Sequence, residues 1–114
     1  MIKVKRIYEK RDPKDGFRIL VDRIWPRGMR RDDAAVDLWL KEIAPSTALR
    51  GWFGHDPTRW QEFKRRYFEE LSHKGDLVEQ IRSRAARQDV TLLYAARDEK
   101  HNNAVSLRDY LAAE

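Results

Sequence analysis

Residues Val90-Thr91-Leu92-Leu93-Tyr94-Ala95-Ala96 decide the fold. The run is apolar at both alternating sets of positions, carries β-branched Val90 and Thr91, and is too short for an ordinary helix. Such a segment predicts a strand buried on both faces, the kind found in parallel sheets. A second run, from Phe17 to Trp25, has the same character around Ile19-Leu20-Val21. Pro26 and Gly28 end it, because proline has no N–H to give to a ladder. Two buried strands joined through helical sequence predict a parallel α/β sheet with a right-handed crossover.

The sequence between the two strands reads as helices. Asp32 or Asp33 can cap a helix starting near Ala34, with Val36, Trp39, Leu40 and Ile43 on one stripe. Pro45 stops it, and Ser46 caps a short helix running through Trp52. Gly54 breaks that helix. Asp56-Pro57 then reads as an N-cap followed by proline in the first turn. Trp60, Phe63, Tyr67, Phe68 and Leu71 form the clearest amphipathic stripe in the chain, and helical spacing makes them core rather than a stacking platform. Gly75 reads as the end of that helix. Asp76 and Glu79 have capping-box spacing for a further helix to about Arg87. Asn102 or Asn103 caps a last helix, with Ala104, Leu107 and Leu111 facing inward.

The N-terminal segment is harder to orient. Ile2 and Val4 alternate with Lys3 and Lys5 in a half-buried strand pattern. Asp12-Pro13-Lys14-Asp15-Gly16 is a turn cluster. About ten residues separate this strand from the next, fewer than the dozen or so a parallel crossover usually takes. It is therefore expected either as an antiparallel hairpin partner or as an edge strand reached by an irregular loop.

Composition bounds the function. The chain has 114 residues, which suits a single domain over 1–114. It has no Cys, which removes disulfides, thiolate nucleophiles and Cys-based metal sites. His55, His73 and His101 lack metal-ligand spacing, so no metal site is expected. No apolar run reaches the length of a membrane span, and Met1–Lys5 has no apolar stretch to act as a signal. The expectation is a cytoplasmic domain with no membrane contact. The net charge of +5 is uneven: residues 1–31 hold 11 Lys or Arg against 4 Asp or Glu, the remainder 13 against 15. Lys3, Lys5, Lys10, Arg11 and Lys14 read mainly as cover for strand edges.

Chemistry is expected where parallel strands end. Ligands of open α/β sheets bind outside the carboxyl ends of the strands. That rule selects Asp22 to Gly28 and Ala95 to Asp98, the latter followed by His101-Asn102-Asn103 at a helix start. Arg23, Arg27 and Arg97 would converge there on an anion, helped by helix-start N–H groups. Trp25 and Tyr94 would supply an aromatic wall. Asp22 and Asp98 could orient the arginines or act as bases. His55 and His101, each in a loop before a helix, have side chains suited to proton transfer near neutral pH. Ser46 with Lys41 could form a nucleophile and base, but no G-x-S-x-G elbow surrounds it, and the cap reading is stronger. Lys41 and Arg50, near the ends of short helices, also read as dipole partners.

Four motifs carry a family resemblance. They are Val21-Asp22-Arg23-Ile24-Trp25-Pro26-Arg27-Gly28; Leu38 to Thr47; Leu49-Arg50-Gly51-Trp52-Phe53-Gly54-His55-Asp56-Pro57; and Thr91 to Asp98. Together they resemble the small bacterial YeaO-like branch of the domain-of-unknown-function 488 family, DUF488. The resemblance implies a compact cytoplasmic α/β domain with a Rossmann-like sheet. The expected architecture is thus a small three-layer domain, with a short mostly parallel sheet and about five helices. The resemblance also marks Arg23, Trp25, Arg27, Lys41, Ser46, Arg50, Arg97 and Asp98 as motif positions, without giving any of them a role.

The combined expectation is a strand-end site for a small anionic, phosphate-bearing ligand. Arg23, Trp25, Arg27, Lys41, Ser46, Arg50, Tyr94 and Arg97 are the candidate binding residues. Asp98 and His101 are the acid–base candidates, should the ligand be turned over as a nucleotide or nucleic-acid component. No cofactor is specified by the sequence, nor an oligomeric state. Two alternatives stand beside this reading: a non-catalytic nucleic-acid-binding module using the basic first segment, and a structural or interaction domain without a ligand.

Overall fold

A computed structural model describes residues 1–113. Its strands are β1 (Ile2–Arg6), β2 (Phe17–Leu20), β3 (Leu38–Trp39) and β4 (Val90–Tyr94). Its helices are α1 (Arg31–Ala34), α2 (Thr47–Phe53), α3 (Trp60–Leu71), α4 (Gly75–Ala85) and α5 (Asn103–Ala112), with 3-10 turns at Pro13–Asp15, Lys41–Ile43 and Pro57–Arg59. The strands form one parallel sheet in the order β1-β4-β2-β3. This is a small three-layer α/β domain, as the two apolar runs imply.

β4 is the centre of the sheet, and every residue in it is buried. It pairs with β1 through Ile2↔Val90 to Arg6↔Tyr94, and with β2 through Phe17↔Val90 to Leu20↔Leu93. Strand alternation splits the side chains between two faces. Ile19, Val21, Val90, Leu92 and Tyr94 join the large core with Phe63, Tyr67, Leu71, Val78, Ile81 and Leu107 from the helices. Leu20 and Leu93 face the other way, onto Ile7, Ala34, Trp25, Met29, Val36 and Trp39. The second outer layer is therefore thin, made of the α1 turn and loops.

A buried arginine holds that thin layer. Arg18 is only 1% exposed. Its guanidinium donates to Asp15 Oδ2 at 2.5 Å, to the Ala34 carbonyl at 2.8 Å and to the Ala35 carbonyl at 3.0 Å. Lys5 also reaches Asp15, at 3.1 Å. A buried charge is tolerable only when so paired.

The N-terminal strand is an edge strand reached by an irregular loop, and it pairs in parallel with β4 rather than as a hairpin with β2. The short loop suffices because it crosses over β4 using the Pro13–Asp15 turn and Gly16. Gly16 has φ +68°, and a Cβ there would fall 2.2 Å from the Asp89 carbonyl oxygen. Only glycine fits that approach.

Other boundaries differ from expectation. The second strand ends at Leu20, not Trp25, although Val21 still donates to the Leu93 carbonyl at 3.1 Å. Beyond it the chain turns away over the sheet end, leaving Ile24 60% exposed. The expected helix from Ala34 to Ile43 does not form. α1 is one turn, closed by Ala35 at φ 48°, and Leu38–Trp39 becomes a strand instead. Asp37 donates its N–H to the Arg18 carbonyl and Leu40 its N–H to the Leu20 carbonyl, both at 2.9 Å. The open edge of β2 thus overrides the helical spacing. Asp32 and Asp33 lie inside α1 rather than capping it. Gly75 opens α4 instead of closing α3, and Asp76 sits in the first turn without the expected capping box. The strand at Val90 closes at Tyr94, two residues early. Ser46, Asp56 and Asn102 do cap as expected, accepting from the N–H groups of Leu49, Thr58 and Val105. No helix among the described residues is long and apolar enough to cross a membrane.

Candidate functional site

The carboxyl ends of β2 and β4 open into a cleft of about 540 Å³. The segment leaving β2 supplies Asp22, Arg23, Ile24, Trp25, Pro26 and Arg27. Ala95, Ala96, His101, Asn102 and Asn103 come from β4 and the start of α5. The third wall is Ala44, Pro45, Arg50, Phe53, His55 and Phe63, with Tyr8 at the margin. A neighbouring cleft of about 780 Å³ shares Tyr8, Arg27, His55, Ala95 and Ala96, and adds Arg6, Arg97 and Asp98.

The expected residues divide. Arg23, Trp25, Arg27, Arg50 and His101 line the first cleft. Arg97 and Asp98 line only the second, and Arg27 belongs to both. Arg27, not Arg97, therefore stands around one space with Arg23. Lys41, Ser46 and Tyr94 line neither. Lys41 lies over the Trp39 ring, 5.1 Å from its centre. Ser46 Oγ donates to Glu70 Oε2 at 2.6 Å while capping α2, so its hydroxyl is spent on structure. Tyr94 is 2% exposed, and its ring is part of the large core.

The arginines have different settings. Arg23 donates to the Ala44 carbonyl at 3.2 Å and to Glu42 Oε1 at 3.4 Å, while its Nε is buried with no hydrogen-bond partner among the described residues. A buried unpaired donor is unfavourable and normally invites an acceptor. Arg27 is exposed, and Tyr8 Oη donates to its carbonyl at 2.8 Å. Arg50 is exposed on the last turn of α2.

Asp22 sits at the floor between the two strand ends. Its Oδ2 accepts the Ala95 N–H at 2.9 Å. Burial pushes its carboxyl above the usual range, opposed by the Ala95 N–H, the Asn103 amide and the charge of Arg50. Asn103 also donates to the Val21 carbonyl at 2.9 Å. The expected anion site at the start of α5 is accordingly partly filled from within, by Asp22 and by the Asn102 cap.

Asp98 and His101 do meet. His101 Nδ1 lies 2.9 Å from Asp98 Oδ2, and Asp98 Oδ1 accepts the N–H groups of Lys100 and His101. These bonds, the His101 contact first, hold Asp98 below its usual pKa. A carboxylate on Nδ1 orients an imidazole with its other nitrogen free to exchange a proton. The His101 ring meets Trp60 edge-on, with 5.3 Å between centres. His55 takes φ 58°, directly after Gly54 at φ 53°, which swings it from the end of α2 to the margin shared by both clefts. A left-handed non-glycine residue costs about 1–3 kcal/mol and tends to mark a functional turn.

Tyr8, Pro45, Phe53 and Phe63 are walls that sequence reasoning did not select. The strand-end rule would have found Tyr8 and Arg6 once β1 was known to run parallel to β4.

Residues 1–114 match the family model described as the inactive DUF488-N3 subclade. An uncharacterized protein of Mycobacterium tuberculosis is 46% identical over 110 residues, covering 96% of this chain and 92% of that protein. A Mycobacterium bovis protein matches equally well. The uncharacterized protein YeaO of Escherichia coli is 41% identical over 110 residues, covering 96% of both chains. No solved structure matches significantly.

Proposed function

We propose that this chain, which belongs to the DUF488 family, binds a small phosphate-bearing anion in the cleft at the ends of β2 and β4. The observation that carries the reading is the placing of Arg23, Arg27 and Arg50 around one partly apolar space. Guanidinium groups match phosphate oxygens in geometry as well as charge. Ile24 and Trp25, backed by the buried Pro45, Phe53 and Phe63, give the organic part of the ligand a surface to cover. The description of the matching subclade as inactive favours binding without turnover. The Asp98–His101 pair then serves to shape the loop before α5, and His101 to contact the ligand.

The basic first segment supports a nucleic-acid module less well. Lys5 is paired with Asp15, Lys3 reaches the Lys14 carbonyl, and Arg6 donates to the carbonyls of Ala95 and Ala96. These cations are used within the fold.

The test is calorimetric titration of the chain with inorganic phosphate, pyrophosphate and small phosphate esters. Arg50→Ala and Arg27→Ala should each weaken binding about tenfold or more, the worth of a charge-assisted hydrogen bond. Absence of binding to the wild type, or binding unchanged in both variants, overturns the reading.

A further inference from the structure

The position of Asp22 constrains what the cleft can hold. A carboxyl group lies in the lining of a space otherwise marked by three arginines. A phosphate set directly against it would meet like charge in a partly desolvated place. The protein gives this carboxyl one main-chain donor, Ala95 N–H at 2.9 Å, and the nearby Asn103 amide. Arg50 acts on it through charge, without an ion pair among the described residues. A carboxylate offers about four acceptor sites, so these protein donors do not exhaust it. Asp22 lines the cleft together with the apolar wall of Ile24, Trp25, Phe53 and Phe63.

We propose that Asp22 is the specificity-determining group of the cleft. It accepts a hydrogen bond from a hydroxyl or amino group of the ligand, while the arginines hold the phosphate. The ligand class is then a phosphate ester with a hydroxyl or amine a few bonds from the phosphate, as against bare phosphate or a simple alkyl phosphate. The proposal rests on the anion-binding reading above and adds the second anchor point.

The arrangement also explains the polar floor. Trp25, Phe53 and Phe63 can cover carbon, but they cannot reward a hydroxyl. A site that offers an acceptor to a ligand donor rejects the analogue lacking it, because the acceptor is then left buried and unmatched. Asp22 is the acceptor placed to make that distinction.

Calorimetry on the full chain with three probes tests it: n-propyl phosphate, glycerol 3-phosphate and 3-aminopropyl phosphate. The wild type should bind the hydroxylated or the amino probe about tenfold or more tightly than the propyl probe. Asp22→Asn should erase that preference. Its single carbonyl oxygen can still take the Ala95 N–H, while its NH₂ would confront the ligand donor. Equal wild-type affinity for all the esters overturns the role of Asp22 and leaves the anion site standing. A preference that survives in Asp22→Asn does the same. No binding of any probe to the wild type overturns both readings together. The wild-type comparison needs no variant, so poor folding of Asp22→Asn cannot hide the answer.

Discussion

The Asp22 carboxylate accepts a hydrogen bond from the main-chain N–H of Ala95 at 2.9 Å. This one bond joins the ends of the two strands that the sequence marks as buried, and it puts an acid at the point where they open. Its consequences are both structural and functional.

Stability should depend on the ionisation of Asp22. Burial holds its folded pKa above the unfolded value of about 3.9. Well below that value the group is neutral in both states and contributes nothing. As pH rises past it, the unfolded chain ionises first, and stability falls until the folded pKa is passed. The penalty is constant above that. Asp22→Asn removes the penalty and keeps an acceptor for Ala95. The variant should therefore gain stability over wild type at neutral pH, with the gain vanishing near about pH 3. Thermal unfolding of both proteins across that range checks this. A difference that does not change with pH counts against it. The lowered carboxyls of Asp15 and Asp98 act in the opposite sense, losing stability as pH falls, but they are common to both proteins.

Arg18 should be among the most sensitive positions. Arg18→Met keeps much of the side-chain volume and removes three hydrogen bonds, leaving Asp15 with Lys5 and the Asp12 N–H. Breaking one side of a buried pair costs about 3–5 kcal/mol. Urea denaturation should show a loss of that size. The double variant Arg18→Met with Asp15→Asn should lose less than the sum of the two single changes, because the Arg18–Asp15 interaction is lost only once. Full additivity would show that the pair is not coupled.

Ser46 should matter for stability and not for the ligand. Ser46→Ala removes the N-cap of α2 and the 2.6 Å bond to Glu70. Caps are worth about 1 kcal/mol. Chemical denaturation should report a loss near that value, while phosphate binding in the cleft stays unchanged. A large fall in binding at preserved stability would return Ser46 to the site.

Much of the lining of the candidate cleft was legible because strand ends are legible. Asp22 to Arg27 and Ala95 to Asp98 follow directly after the two apolar runs, so the rule for parallel sheets finds them. Caps were equally readable at Ser46, Asp56 and Asn102, since each depends on one side chain and the next few N–H groups. The failures have a common cause. Val36, Trp39, Leu40 and Ile43 have helical spacing, yet Leu38–Trp39 pairs with β2. A two-residue strand carries almost no local signal, and its formation is decided by the vacant edge beside it. Lys41 and Ser46 belong to a motif whose visible contacts lie outside the two clefts, Lys41 over the Trp39 ring and Ser46 at the α2 cap.

The sequence by itself determined the class of fold, the two central strands, the amphipathic α3 and the clustering of arginines at strand ends. These follow from side-chain polarity repeated at short, regular spacing. The tertiary structure decided the rest. It set β1 beside β4, seated β3 on the open edge of β2, put Arg97 in the neighbouring cleft and brought Arg50, His55 and Phe53 to the first. Each of those outcomes depends on hydrogen-bond edges and faces that exist only after distant segments have met. The same is true of Asp22. Its residue type is plain in the sequence, but its half-buried place against Ala95, 73 positions away, belongs to the folded molecule.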